Sequence, residues 1–308
     1  MSAPAVRPDA ATRLNALLCG MLVAVSLLLL FVVPAWLLPA SAWWGLALVP
    51  VALTTNTMWS LIHEAIHGHL FAHRRSNDGV GRLLCVLYGA PLRALRVAHL
   101  LHHRYSRTRR DRTEVYDSVR SSRLAAAAGF YGQLLGGMYV LEVVSSLACL
   151  LPRRVIDWLA PRLEHPDSTG GLVVRAVREP RALREMRLDT LVLLAVFGTA
   201  VWLYGSHAWM LGAVILARAA LVSIADNSYH YATRLEQPRL AMNAHAPRWI
   251  AAALLHFNLH GVHHRYPHLP WFALRAQFER EGGRADIGLA TCFLRQLRGP
   301  IPLERLSA

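Results

Sequence analysis

Three short windows hold ten of the sixteen histidines of this 308-residue chain. They are "HEAIHGH" (His63 to His69), "HLLHH" (His99 to His103) and the histidines of "HGVHHRYPHLPW" (His260 to Trp271). On a helix, positions i, i+3 and i+4 share one face. His63 and His67 therefore stand together, as do His99, His102 and His103, and His260, His263 and His264. Eight imidazoles brought together from three helix faces have the makings of a metal centre. Neutral imidazole suits iron, zinc, copper and nickel, and is a poor choice for magnesium or calcium. Eight ligands are too many for one ion of usual coordination, so two metals sharing the cluster is the economical reading. A ninth candidate is His230 in "ADNSYHYAT", where the last apolar run ends. Asp226, one turn before it, and Asn227 are placed to bind metal through water or to support a ligand from behind.

The other histidines are read differently. His256 lies one turn before His260 and shares its helical face, as a supporting group or a further ligand. His69 and His73 depart from the three- and four-residue ladder. His165, His207 and His245 are isolated loop or interface residues, and His268, in "PHLP", shapes the chain exit. Glu64, Asp111, Glu114 and Asp117 are candidates to hold imidazole N–H groups, in competition with salt bridges to the dense local arginines. A single HxxxH is common by chance. Two HxxHH boxes at this histidine frequency arise by chance only on the order of once in a thousand chains.

Something must position these boxes, and the hydropathy says what. Mean hydropathy is +0.30, high for a soluble domain. Leu14–Leu38 and Trp43–Leu61 are apolar runs long enough to span ~30 Å of hydrocarbon. A second pair, Thr190–Tyr204 and Ala208–Ile224, is separated by "GSH". "ASA" at Ala40–Ala42 resembles a signal-peptide cleavage site, but the apolar core before it is long and a second span follows at once, which favours an uncleaved anchor. Trp43, Trp44, Trp202 and Trp209 sit at the connecting ends, where an aromatic belt lies. All 33 basic residues are arginine, twelve of them between 62 and 123, eight between 152 and 188 and ten between 231 and 308. The two connecting tips contain none, which places both termini and the histidines on the cytoplasmic side.

Leu124–Leu151 is nearly all apolar, with Glu142 as its only charge. Both flanks are arginine-rich, so the expectation is an interfacial or re-entrant helical piece bent near Gly136–Gly137. Arg218, inside the last span, is expected to snorkel or to pack against the cytoplasmic part. The +14 formal charge is not accompanied by any nucleic-acid-binding module. Cys19, Cys85, Cys149 and Cys292 are scattered, with no disulfide framework or zinc pattern. The fold expected is an all-α integral membrane protein, one domain over 1–308, with four transmembrane helices in two hairpins and a cytoplasmic helical cap carrying the histidine boxes.

These residues resemble the membrane fatty acid desaturase superfamily, whose pattern is an HxxxH box, an HxxHH box and a late HxxHH box followed by prolines, with hydrophobic hairpins between. "HEAIHGH", "AHLLHHRYSRTRRD" and "NLHGVHHRYPHLPW" carry the resemblance over roughly residues 15 to 275. It implies a non-haem centre of two iron ions, O2 as co-substrate and two externally supplied electrons. The implied ligands are His63, His67, His99, His102, His103, His260, His263 and His264, with His230 as the additional histidine found in some members. Some members hold an iron through water with an asparagine one turn before that histidine; here the position is Asp226. The implied reaction is desaturation of a fatty acyl chain linked to lipid, coenzyme A or a carrier protein. The alternative with the same centre is a lipid or carotenoid hydroxylase or ketolase.

The implied partners are an acyl-chain substrate, a separate electron donor such as ferredoxin with its reductase, membrane lipids and, as a further candidate, acyl carrier protein; nucleic acid is excluded. The implied location is a bacterial-type inner or cytoplasmic membrane. A metal transporter or sensor, the reading from another class, predicts polar ligands near the middle of the spans. Here the boxes lie beyond the expected span ends.

Overall fold

The structure, a computed structural model, describes residues 8–306, and the outermost seven N-terminal and two C-terminal residues lie outside that range. Among the described residues, four helical stretches are long and apolar enough to cross a membrane: Ala11–Leu37, Ala42–His67, Arg123–Ala148 and Pro180–Ser228. The first begins as α1 (Pro8–Leu27) and widens into a π-helical segment, Leu28–Leu37, around Pro34. Proline lacks an N–H and crowds the carbonyl four residues back, which a wider winding relieves. After a 3-10 turn come α2 (Leu48–Leu53) and α3 (Thr55–His67).

α4 (Arg74–Tyr88) and α5 (Leu92–Tyr105) meet at a 97° bend. Gly89 there has φ +116°, open to glycine and strained for other residues. β1 (Val115–Tyr116) is followed by α6 (Arg123–Gly132) and α7 (Met138–Ala148), then by α8 (Arg153–Leu159) and α9 (Gly170–Val177). α10 (Pro180–Tyr204) starts on a cap in which the Glu179 carboxylate accepts from the N–H groups of Arg181 and Ala182. A turn at Gly205–His207 leads to α11 (Ala208–Ser228). The remainder comprises β2 (Ala244–His245), α12 (Arg248–Ala253), α13 (His260–Arg265), α14 (Trp271–Arg280), β3 (Ile287–Gly288), α15 (Leu289–Leu294) and β4 (Ile301–Pro302). β1 pairs in parallel with β4, and β2 with β3.

Three boundaries differ from the sequence reading. The second apolar stretch runs on to His67, so the first box occupies the last turns of a spanning-length helix. A Schellman cap stops it there: Gly68 has φ +84°, and His69 N–H reaches Glu64 O at 2.8 Å. α10 begins at Pro180, ten residues before the expected Thr190. The charges in its first turns are accommodated: the Asp189 carboxylate, buried against α4, accepts from Arg82 Nε and Nη2. Arg123–Ala148 is itself long enough to cross, and its helix breaks where the glycines lie: Leu135 and Gly136 leave helical geometry, Gly136 at φ +130°.

The main apolar core, with Leu22, Leu61, Ile62, Leu84 and Leu211 fully buried, joins α1, α3, α4 and α11. Gly81 lets α4 close on α3, since a Cβ there would stand 2.7 Å from that of Ala65. A buried bridge ties α1 to α14: Trp271 Nε1 donates to Asn15 Oδ1 and Asn15 Nδ2 donates to Leu70 O, both at 2.9 Å. Arg218 does not snorkel; it packs against α4, inside the arginine-rich stretch between residues 62 and 123. It is 4% exposed, and its Nη1 donates to Leu87 O and Tyr88 O at 3.1 and 3.3 Å. The last carbonyls of α4 have no intrahelical partners, and this guanidinium supplies them.

Candidate metal centre

α3 carries His63 and His67, α5 carries His99, His102 and His103, and α13 carries His260, His263 and His264. His230 follows the end of α11. α13 has only six residues and is held from outside. Asn243 Oδ1 accepts from Val262 N–H at 2.9 Å, and Gly261 lies so close to Ala241 O that a Cβ would come within 2.4 Å of it.

All nine imidazoles fall into two groups. His63, His67, His99, His103 and His263 form one, and His102, His230, His260 and His264 form the other; within each, the ring nitrogens lie within 4.8 Å of one another. The sequence reading put each box on one face, yet the boxes divide. The i, i+4 pairs 63/67, 99/103 and 260/264 each stay together. The i+3 residues, His102 and His263, cross to the other group. Adjacent helical residues project ~100° apart, so the neighbours His102/His103 and His263/His264 serve different groups.

The spacing identifies what the groups can hold. In the first, Nε2 atoms form a run from His67 through His99, His103 and His263 to His63, with steps of 3.0, 3.0, 2.9 and 3.0 Å. In the second, the run goes from His102 through His230 and His260 to His264, at 3.1, 3.2 and 3.0 Å. These steps cannot all be hydrogen bonds. Each neutral Nε2 offers one proton or one lone pair, and the inner members of a run would need two. Nitrogens about 2.0–2.1 Å from a common metal and at right angles to one another lie about 3.0 Å apart. The runs therefore have the edge lengths of coordination polyhedra. Burial, followed by the neighbouring imidazoles and, for His230, Arg107, pushes His230, His260, His263 and His264 well below the ordinary histidine range, which leaves them neutral with a lone pair free for metal. Two groups of neutral imidazoles fit two ions of the iron, zinc or copper kind.

The supporting residues sort out on inspection. Asp111 Oδ2 stands 2.7 Å from His102 Nδ1, as a carboxylate that orients a ligand should. Ser106 Oγ is 3.3 Å from His230 Nδ1. Glu64 instead accepts from Trp271 N–H, Glu114 pairs with the buried Arg107, and Asp117 pairs with Arg120. Asp226 and Asn227 both line a cavity beside His230, and Asn227 Nδ2 donates to Gln296 Oε1 at 2.7 Å. His256 does not share a helical face with His260. Leu255 and His256 have φ +49° and +57°, so the chain turns before α13, and the His256 ring faces Trp271 instead. His69, His73, His165, His207, His245 and His268 belong to neither group.

That cavity, about 170 Å3, borders both groups through His99, His102 and His230. It shares Asp111, Arg112, Thr113, Met138 and Thr169 with an outer cleft of about 880 Å3. Trp59, Ser106 and Glu142 on the inner wall were not singled out as site residues from the sequence. Trp59 lies one helical turn before His63, and Glu142 is the lone charge of an apolar stretch, which are the signals that could have found them.

The chain matches the family model described as fatty acid desaturase over residues 41–291. No curated protein and no solved structure matches it. The matched region contains all nine grouped histidines and the elements that bear them, and the chain belongs to the fatty acid desaturase family.

Proposed function

We propose that this protein is an O2-dependent di-iron desaturase that introduces a double bond into a fatty acyl chain. The observation that carries the reading is the pair of imidazole groups at the ends of spanning-length apolar helices. His63, His67, His99, His103 and His263 would hold one iron, and His102, His230, His260 and His264 the other. When bound, the two irons supply the oxidising power drawn from O2 that an unactivated methylene requires. The balance is –CH2–CH2– + O2 + 2 e− + 2 H+ → –CH=CH– + 2 H2O. The chain's own residues position and shield. Asp111 fixes the His102 ring, buried α13 keeps His260, His263 and His264 dry, and the cavity beside His102 and His230 receives the carbons that react.

The electrons come from a separate donor of the ferredoxin type. Arginine-rich segments flanking apolar ones support a topology of two hairpins, with the site and both termini on the cytoplasmic side of a bacterial-type membrane. The acyl chain arrives on lipid, coenzyme A or acyl carrier protein, each anionic and each suited to an arginine-rich surface.

Gas chromatography–mass spectrometry of acyl chains from cells expressing the wild type or His263→Ala tests the reaction. A new unsaturated chain seen only with the wild type is the expected result. New hydroxylated chains would replace desaturation by hydroxylation. Unchanged chains together with an iron-free purified protein would overturn the reading.

A further inference from the structure

α8 and the 3-10 turn after it, Ala160–Arg162, follow the end of a spanning-length helical stretch. They are docked on one side only. Ile156 is buried in a small core with Cys149, Leu183 and Met186, and Ala160 is buried as well. Two residues either side of Ile156, on the opposite face of the helix, stand Arg154 and Trp158, and Arg162 follows four residues on. All three are exposed, Trp158 at 56%. The Arg162 guanidinium lies over the Trp158 ring, 3.9 Å from its centroid, and its Nη1 donates to Trp158 O at 2.7 Å. Arg154 has no partner among the described residues. The nearby carboxylates are engaged elsewhere. Asp157 faces Arg153 and Arg178 at 3.6 and 3.8 Å, and Glu164 pairs with Arg175.

The apolar surroundings decide what meets this ladder of cation, indole and cation. Val140, Leu141, Val144 and Leu147, exposed on one side of α7, continue into Leu151 and Val155. An exposed apolar stripe on a helix of spanning length is the side that meets hydrocarbon. Where the stripe ends, arginines and a tryptophan take over, which is the order of groups across a membrane interface. An anionic phospholipid satisfies both parts at once, because its acyl chains match the stripe and its phosphate accepts from guanidinium groups. We propose that Arg154, Trp158 and Arg162 form a docking site for the phosphate headgroup of an anionic membrane phospholipid, whose acyl chains lie along the exposed side of α7. The residues that follow reach the candidate site. Arg110 Nη1 donates to His165 O and Ser168 O, and Asp167, Ser168 and Thr169 line the outer cleft. A headgroup held on the ladder therefore steadies the rim of that cleft.

The test needs neither iron nor turnover. Purified protein in uncharged detergent micelles is titrated with phosphatidylglycerol, with phosphatidylcholine and with glycerol 3-phosphate, following the thermal midpoint and amide hydrogen exchange. Phosphatidylglycerol alone should raise the midpoint saturably and slow exchange over residues 150–169. Arg154→Gln combined with Arg162→Gln, both at exposed positions, should weaken its binding about tenfold or more. Arg75→Gln combined with Arg284→Gln removes the same charge from exposed positions outside the ladder and should leave binding unchanged. Equal stabilisation by phosphatidylcholine, or an equal loss in both double variants, would overturn the proposal. Glycerol 3-phosphate acting as well as the lipid would also overturn it, by reducing the site to one for free phosphate. No response to any of the three would overturn it and give the face to a protein partner.

Discussion

The five-imidazole group has one ligand more and two half-buried members, His67 and His103, whereas the four-imidazole group is the more deeply buried, with His102 alone half-buried, and sets two of its rings on the cavity. In the first, His63 meets His263 from a segment two hundred residues away, and its ring lies edge-on to Phe257 with centroids 5.0 Å apart. In the second, His102 and His230 line the cavity, Asp111 and Ser106 stand at their Nδ1 atoms, and the Nδ1 atoms of His260 and His264 have no partner among the described residues. Both groups draw on the short α13, and the four-imidazole group has two polar contacts at its Nδ1 atoms besides. The lesson is a division of labour. The five-imidazole group has more ligands and one of them, His99, on the cavity, which suits an ion held permanently. The four-imidazole group has one ligand fewer and two members, His102 and His230, on the cavity, which suits the ion that meets ligands from outside.

Removing a ligand should break the comparison most forcefully. His263→Ala strips the five-imidazole group and His264→Ala the four-imidazole group, although the residues are adjacent. Each is expected to lower iron from about two to about one per chain and to cut turnover beyond the roughly 10–100-fold that loss of a supporting partner costs. Iron per chain by plasma mass spectrometry, alongside product formation, reads both. The two should differ in what remains: His264→Ala keeps the ion of the five-imidazole group, whereas His263→Ala keeps the ion with fewer ligands, beside the cavity. If both variants retained two irons, the division into groups would be wrong.

A smaller effect is expected at Asp111. Asp111→Asn leaves an oxygen near His102 Nδ1 but removes the charge, and should weaken metal binding by the four-imidazole group roughly 10–100-fold. The five-imidazole group, which Asp111 does not touch, should be unaffected. A chelator titration followed by iron release would then show two well-separated steps. A uniform weakening of both irons would mean that the groups behave as one unit.

Much of this centre was legible in the sequence, because helical spacing alone brings His63 to His67, His99 to His103 and His260 to His264. His230 was legible from its place after the last apolar run, and the bend at Gly136 from its glycines. The partition of the boxes was not read, since treating i+3 and i+4 as one face ignores the angle between adjacent residues. His256 misled because its helical face presumes a helix, and the left-handed backbone at Leu255 and His256 ends it. Glu64 turns to the Trp271 N–H, and Asn227, which stays on the cavity beside His230, ties its amide to Gln296; both partners lie far along the chain and leave no local signature. For Arg218, expected either to snorkel or to pack against the arginine-rich part, the uncapped carbonyls at the end of α4 decided in favour of packing.

Ser106 offers the finest test of the difference. Its Oγ is 3.3 Å from His230 Nδ1, beyond the usual hydrogen-bond range for these atoms, and it carries no charge. Asp111, by contrast, approaches His102 to 2.7 Å. If polar support from behind is what holds the four-imidazole group together, its strength should follow distance and charge. Ser106→Ala should then weaken the iron of that group only about two- to threefold, the lower end of what a neutral hydrogen bond contributes. The same chelator titration measures it beside Asp111→Asn. A loss from Ser106→Ala as large as that from Asp111→Asn would show that the two contacts act as one network around His102 and His230, whose Nε2 atoms are 3.1 Å apart. Support would then come from the whole wall rather than from one carboxylate. A graded loss keeps Asp111 as the principal brace and leaves His230, itself 5% exposed, held chiefly by burial.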